Sequence, residues 1–231
     1  MSRVLYDLAG AESDRRFSPY CWRAKLALAH KGLSFDTIPW HFSDKAAIAF
    51  SGQGAVPVLV DGERTVSDSW KIALYLEETY PDAPSLFGPA APLATAHFIN
   101  EWADRVFTPA LGRCLVTDIV ACLQEQDRAY YRSTREARYG GTLEQVAAGR
   151  EQRLPEIRAL LAPVRTALEH APYLGGTSPL YADHILFGTF QWARCVSPFQ
   201  LLLPEDPVYA WRERMLDAYG GLARRAKGFA V

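Results

Sequence analysis

The chain of 231 residues carries only four cysteines and two methionines, contains no long apolar run, and is almost uncharged overall. Each scarcity excludes something. Cys21, Cys114, Cys122 and Cys195 lie far apart with no C-x-x-C among them, so neither a disulfide framework nor a zinc ribbon fits, and a reducing compartment is expected. The longest apolar stretches, such as residues 46–50 and 55–60, are far shorter than the ~18 residues of a membrane span. Arg3, Asp7, Glu12 and Asp14 stand where a signal peptide would be apolar. With 25 Lys and Arg against 26 Asp and Glu, no global field recruits nucleic acid or an anionic membrane. Internal repeats and low-complexity tracts are absent, as is the G-x-S-x-G of a hydrolase nucleophile elbow. What remains is a composition 49% apolar and 22% charged, enough for one sizeable core or two modest ones, in a chain expected to be soluble, cytoplasmic and directed at small molecules or proteins.

The first third alternates strand and helix signals. Val4-Leu5-Tyr6 is β-prone, and Ser18-Pro19 opens a helix-forming stretch to Lys31 that Gly32 stops. Residues 34–39 read as a second strand. Asp61-Gly62-Glu63 between two β-prone runs signals a hairpin, with Pro57 expected at an edge. Ser69 then heads a helix with Ile72, Ala73, Leu76 and Tyr80 on one face. Pro81, Pro84, Pro89 and Pro92 mark a semi-rigid linker. Beyond it only helical periods appear, with Pro155 expected to kink or break the pattern of residues 143–168. The chain thus divides into an α/β domain (1–81), a linker (82–92) and an all-α domain (93–231).

Three motifs bear on chemistry. Ser18 stands at a helix start, where unpaired N–H groups and the macrodipole favour an anion such as a thiolate; read blandly, it is an N-cap. His30 and His41 form no triad with it, so it is a hydrogen-bond donor before it is a nucleophile. Cys21, three residues on, reads as a packed core residue. In Gln53-Gly54-Ala55-Val56-Pro57, the backbone before the proline is free to pair with a peptide-like ligand. Asp68-Ser69 pairs an acceptor for an ammonium group with donors for a carboxylate, the requirements of an α-amino acid, although plain capping is the simpler reading.

Taken together, S-P-Y-C-W-R at residues 18–23, V-P-V-L at 56–59 and D-S-W-K-I-A-L-Y-L-E at 68–77 resemble the cytosolic glutathione transferase family over nearly the whole chain. The resemblance implies a thioredoxin-like first domain and an all-helical second domain. Asp68, Trp70 and Y-A-D-H at residues 181–184 are similar to the branch holding bacterial β-etherases and fungal etherase-like transferases. One departure is Leu180, where the family's capping box has Ser or Thr, leaving Asp183 to cap alone or with Ser178 or Thr177.

The resemblance further implies glutathione as co-substrate and no metal. Ser18 is the expected catalytic residue; Gln53, Val56, Pro57, Asp68 and Ser69 are expected to bind glutathione. The Val56-Pro57 bond is expected to be cis. Phe98, Trp102 and Arg105 are expected near the pocket of a hydrophobic, aromatic electrophile, although aromatics at helical spacing are more often core. Conjugation or β-aryl ether cleavage follows, in a homodimer. The rival reading is a non-catalytic carrier of hydrophobic ligands on the same fold. Arg128, Arg132, Arg135 and Arg138, interleaved with acids, read as a solvated helix face.

Overall fold

The computed structural model describes residues 2–88 and 92–231. The first segment contains β1 (Arg3–Leu8), α1 (Pro19–His30), β2 (Asp36–Trp40), a 3-10 turn (Lys45–Ser51), β3 (Val58–Asp61), β4 (Arg64–Ser67) and α2 (Ser69–Thr79). The strands form one mixed sheet in the order β2-β1-β3-β4. β1 and β2 run parallel, joined through α1, while β3 is antiparallel to both β1 and β4. This is the thioredoxin-like arrangement expected.

The local chemistry explains the boundaries. The Ser18 hydroxyl accepts the Cys21 N–H at 3.2 Å, and Pro19 follows as a first-turn residue with no N–H to satisfy. At the other end Gly32 adopts φ +68°, Gly32 N–H reaches Ala29 O and Leu33 N–H reaches Leu28 O, both at 3.0 Å. That pair of bonds is a Schellman stop. Pro57 is not on a sheet edge, because β3 lies between β1 and β4. It precedes the first paired residue, Val58, so its missing N–H removes no ladder bond. The second strand starts two residues later than expected and keeps Pro39 on the true edge, β2.

The second segment is helical apart from an isolated bridge between Tyr173 and Gly176. α3 (Pro92–Trp102) passes through a π-helical turn (Ala103–Phe107) into α4 (Thr108–Cys122), followed by α5 (Glu125–Tyr139) and α6 (Leu143–Ala147). α7 (Leu154–Ala159), α8 (Ala162–His170), α9 (Tyr181–Val196) and α10 (Pro207–Gly221) complete it. The periodic stretch around Pro155 is three short helices, because Pro155 and Pro163 each sit in a first turn and open a new helix. Asp183 anchors the start of α9. Its carboxylate accepts Leu180 N–H, Leu174 N–H, Gly175 N–H and the Trp211 indole at 2.8–3.0 Å, and neither Ser178 nor Thr177 takes part.

Two apolar clusters form the interior, and each draws on both halves of the chain. One joins Leu8, Trp22 and Trp40 to the helical domain; the other joins Leu5, Leu28 and Leu59 to Ala96, Tyr181 and Ile185. The connection between the halves is anchored too. Leu86 is fully buried, its N–H donates to Glu77 at 2.9 Å, and its carbonyl accepts Tyr181 N–H at 2.8 Å. Pro89, part of the expected linker, lies outside the described residues.

α9 packs across α1 at Gly188, where an added Cβ would fall 2.5 Å from the Pro19 carbonyl oxygen. In an open helix interior, Gly→Ala stabilises by about 1 kcal/mol. Here the sign reverses: Gly188→Ala is expected to destabilise by about 1–3 kcal/mol through overpacking, measured as a lowered urea midpoint.

Candidate functional site

Ser18 lies at the meeting point of the two domains. It is 4% exposed and lines a cavity of about 590 Å³, within the usual range for small-molecule sites. The first domain contributes Phe17 to Tyr20 from the start of α1, Trp40 from the end of β2 and Phe42 after it, and Gly54 to Val56 before β3. The second contributes Asp104 from the π-helical turn, Thr108 and Gly112 from α4, Tyr131, Arg135 and Tyr139 from α5, and Trp192 from α9.

The Ser18 oxygen is engaged by the Cys21 N–H, which leaves its own proton to donate. Cap and donor are therefore compatible roles of one hydroxyl. The nearby thiol is no rival. Cys21 is fully buried, and burial pushes its thiol well up, with the Asp7 charge adding to the effect. The Tyr20 phenol lines the same cavity and is pushed up first by burial and then by Asp104, which keeps it neutral.

Val56 is half-buried at the cavity wall, and the Val56-Pro57 bond is cis. Among the described residues, the Val56 N–H and carbonyl take no hydrogen-bond partner. The Pro57 carbonyl accepts the Asp68 N–H at 3.3 Å, so the two glutathione-binding motifs expected from sequence are adjacent in space. Gln53 is exposed, and its N–H donates to the Ser51 hydroxyl.

Asp68, not Ser69, caps α2. One carboxylate oxygen accepts the Trp70 and Lys71 N–H groups, each at 3.0 Å, while Ser69 is the first helical residue, buried, with its carbonyl held by the Tyr181 hydroxyl at 2.7 Å. Asp68 adopts φ +79° and ψ 131°, a conformation that costs a non-glycine residue about 1–3 kcal/mol. Its side chain is exposed, with its second carboxylate oxygen free of partners among the described residues, and none of Asp68, Ser69, Gln53 and Pro57 lines the cavity itself.

Phe98, Trp102 and Arg105 do not line this cavity. Phe98 is 70% exposed on the outer face of α3, and Arg105 pairs with Glu101 at 2.6 Å on the surface. Trp102 stacks on the buried Phe107, their planes 7° apart. The helix phase turns them away, and Asp104 and Thr108 occupy the cavity side instead.

The expected solvated face of α5 is divided. Arg128 pairs with Glu125, and Arg132 with Glu136 and Glu144. Arg135 and Arg138 line the cavity. Spacing carried a usable signal: Asp127, Tyr131 and Arg135 recur every four residues, which puts them on one helix face. Asp127 is fully buried and accepts the Phe42 and Ser43 N–H groups at 3.2 and 2.7 Å, fastening α5 to the loop after β2.

The fold, a thioredoxin-like domain joined to an all-helical one, defines a two-domain class, and comparison with known proteins says which. The profile "Glutathione S-transferase, N-terminal domain" matches residues 13–84 and "Glutathione S-transferase, C-terminal domain" matches residues 94–200. The chain belongs to the glutathione S-transferase family. It is similar to a glutathione S-transferase of Ceriporiopsis subvermispora crystallised with glutathione, at 26% identity and TM-score 0.80, covering 94% of this chain and 96% of that one. GSTFuA3 of Phanerochaete chrysosporium follows at 26% and 0.77, covering 96% and 92%. The β-etherase LigF of Sphingobium sp. strain SYK-6 shares the fold at 18% identity and TM-score 0.69, over 97% and 99% of the two chains. Among curated relatives, "Glutathione S-transferase Z1" of Arabidopsis thaliana is 39% identical over 69 residues, 28% of this chain. The matches span 31% to 46% of the lengths of these curated relatives.

The burial pattern sets thiol reactivity. Cys21, Cys114 and Cys195 are buried, with Cys195 pushed up to about 11 by burial, and Cys122 is half-buried. In the native protein all four are expected to react slowly with an aromatic disulfide reagent at pH 7, Cys122 first, and together only on unfolding in urea, as followed by absorbance.

Proposed function

We propose that the protein is a serine-type glutathione transferase that activates the glutathione thiol for attack on a hydrophobic, aromatic electrophile, by conjugation or by cleavage of a β-aryl ether. The observation that carries this reading is Ser18 itself: a buried hydroxyl at the first turn of α1, its acceptor side occupied and its proton free, lining a cavity shared by both domains. The unpartnered backbone of Val56 suits the cysteinyl amide of the tripeptide. The free carboxylate oxygen of Asp68 suits an ammonium group, and the donors of Ser69 suit a carboxylate. Its match to a relative crystallised with glutathione supports the same assignment.

The magnitudes are adequate. A thiol of pKa ~8.5 is a few per cent thiolate at pH 7, and lowering it by about two units corresponds to roughly 2.7 kcal/mol. One charge-assisted hydrogen bond from Ser18 contributes about 1.5–3 kcal/mol, and the α1 N-terminus adds a few tenths to one. The sulfur then forms a bond to the electrophilic carbon as halide or aryl oxide leaves with its electron pair. Orientation between the two domain walls supplies much of the remaining acceleration. We read the active form as a cytoplasmic homodimer; light scattering at micromolar concentration tests the assembly.

Ser18→Ala is expected to retain glutathione affinity within about threefold and to lose about tenfold or more in kcat with an aryl halide, since the hydroxyl acts on the thiolate. Full activity in that variant would move thiol activation to Tyr6 or Tyr20. Wild type that binds glutathione and hydrophobic ligands without turnover is a carrier. Asp68→Ala and Ser69→Ala are expected to raise the glutathione dissociation constant about tenfold, measured by calorimetry; an unchanged value removes the γ-glutamyl assignment. Glutathione-dependent disulfide reduction is expected to be negligible in wild type, because a hydroxyl forms no mixed disulfide.

A further inference from the structure

The cavity is far more basic than the chain. Its lining includes Lys45, Arg113, Arg135 and Arg138, and its one carboxylate, Asp104, is already paired with the fully buried Arg23 at 2.7 Å. The four lining cations make no ion pair among the described residues. The contrast within α5 is informative: Arg128 and Arg132, which do not line the cavity, are neutralised by glutamates, whereas Arg135 in its wall and Arg138 at its exposed rim are not. A merely solvated helix face offers no reason for that division.

The unpaired guanidinium groups are also held in place by aromatic rings. Arg135 lies over the rings of Tyr131 at 4.8 Å and Phe42 at 5.9 Å, and Arg113 lies over Tyr139 at 5.1 Å. Stacking fixes the plane of a guanidinium while leaving N–H groups at its edge free to meet a planar oxyanion. The Arg138 charge reaches both the Tyr20 and Tyr131 phenols, one on each wall of the cavity. Tyr139 and Trp192 close the floor against Gly112, where an added Cβ would lie 3.0 Å from the Tyr139 hydroxyl and 3.3 Å from the Trp192 ring. The result is an aromatic slot rimmed by cations.

Resting on the transferase reading above, we propose that the acceptor substrate is an aromatic acid, its ring held among Tyr131, Tyr139 and Trp192 and its carboxylate by Arg135 and Arg138. Arginine forks recognise carboxylates through two parallel hydrogen bonds, and the apolar walls strengthen them by limiting water.

A matched pair of acceptors tests this: 4-chloro-3-nitrobenzoate and its methyl ester. In both, the glutathione thiolate forms a C–S bond at the chlorine-bearing carbon and chloride departs with the bonding pair, so reaction is read from the thioether product. With each kcat/KM divided by the rate constant of the uncatalysed reaction of the same acceptor with glutathione, which corrects for the more electron-withdrawing ester, wild type is expected to favour the acid about tenfold, and the advantage is expected to shrink in 0.5 M salt. In Arg135→Gln/Arg138→Gln this normalised ratio of acid to ester should fall to about one, whereas Arg128→Gln, outside the cavity on the same helix, should keep the wild-type ratio. Equilibrium dialysis of 3-nitrobenzoate against methyl 3-nitrobenzoate reads the same preference without turnover. An ester bound and turned over as well as the acid by wild type, or a preference that survives the double substitution, overturns the proposal. Preferential binding of the acid without turnover of either acceptor refutes the transferase reading and leaves the anion site standing.

Discussion

The approach of α9 to the first turn of α1 is the constraint on which the site depends. Gly188 has no Cβ, so the α9 backbone comes directly against the Pro19 carbonyl, next to the residue whose hydroxyl caps α1. Thus α1 is buried on nearly all sides: both apolar clusters join it to the sheet and to the helical domain. A helix buried all round has no free rotation about its axis and little freedom to slide. Ser18 inherits that rigidity, and under the proposed function a hydrogen-bond donor to a single sulfur atom requires it.

Burial on all sides forces the charges of α1 to find partners inside the protein. Lys25, 5% exposed, meets Asp7 of β1 at 2.7 Å and lies 3.4 Å from the Trp22 ring centre; Arg23, wholly buried, meets Asp104 and Asn100 of the second domain. Removing one member of such a pair leaves an uncompensated buried charge at a cost of about 3–5 kcal/mol. The Arg23 pair also holds Asp104 at the cavity wall, in the π-helical turn between α3 and α4. The domains are thereby coupled by charge as well as by apolar contact, and the cavity between them has walls from each.

That cavity has two chemically different sides. The first-domain wall carries the Ser18 hydroxyl and the backbone of Gly54 to Val56 among the rings of Phe17, Tyr20, Trp40 and Phe42; toward α4, α5 and α9 lie further aromatic rings and unpaired guanidinium groups. Asp127 joins the two sides by accepting the backbone N–H groups of Phe42 and Ser43, which brings the Phe42 ring within 6.0 Å of Tyr131. A buried carboxylate on one domain thus sets the position of a loop on the other.

Much of this was legible in the residue order. Ser18-Pro19 with Gly32 delimited α1, Asp61-Gly62 marked the hairpin, and the prolines after Thr79 divided the chain, because caps, turns and helix breaks are decided by residues a few positions apart. The S-P-Y-C-W-R and V-P-V-L motifs supply Ser18 and Val56 to the cavity wall, and the D-S-W motif caps α2 beside Pro57. The helical wall of the cavity was not legible. Phe98, Trp102 and Arg105 have the composition of a pocket, yet the phase of α3 and the π-helical turn puts them at the surface or onto Phe107, while Arg135 and Arg138 read as solvated and line the cavity, Arg138 at its exposed rim. The sequence by itself therefore determined the elements, their order and the motifs at the starts of α1, β3 and α2, all consequences of local backbone and capping chemistry. Which helix faces meet across the domain boundary, and hence which charges are left unpaired in the cavity, was decided only in the tertiary structure, because it depends on contacts such as Gly188 with Pro19 between residues far apart in the chain.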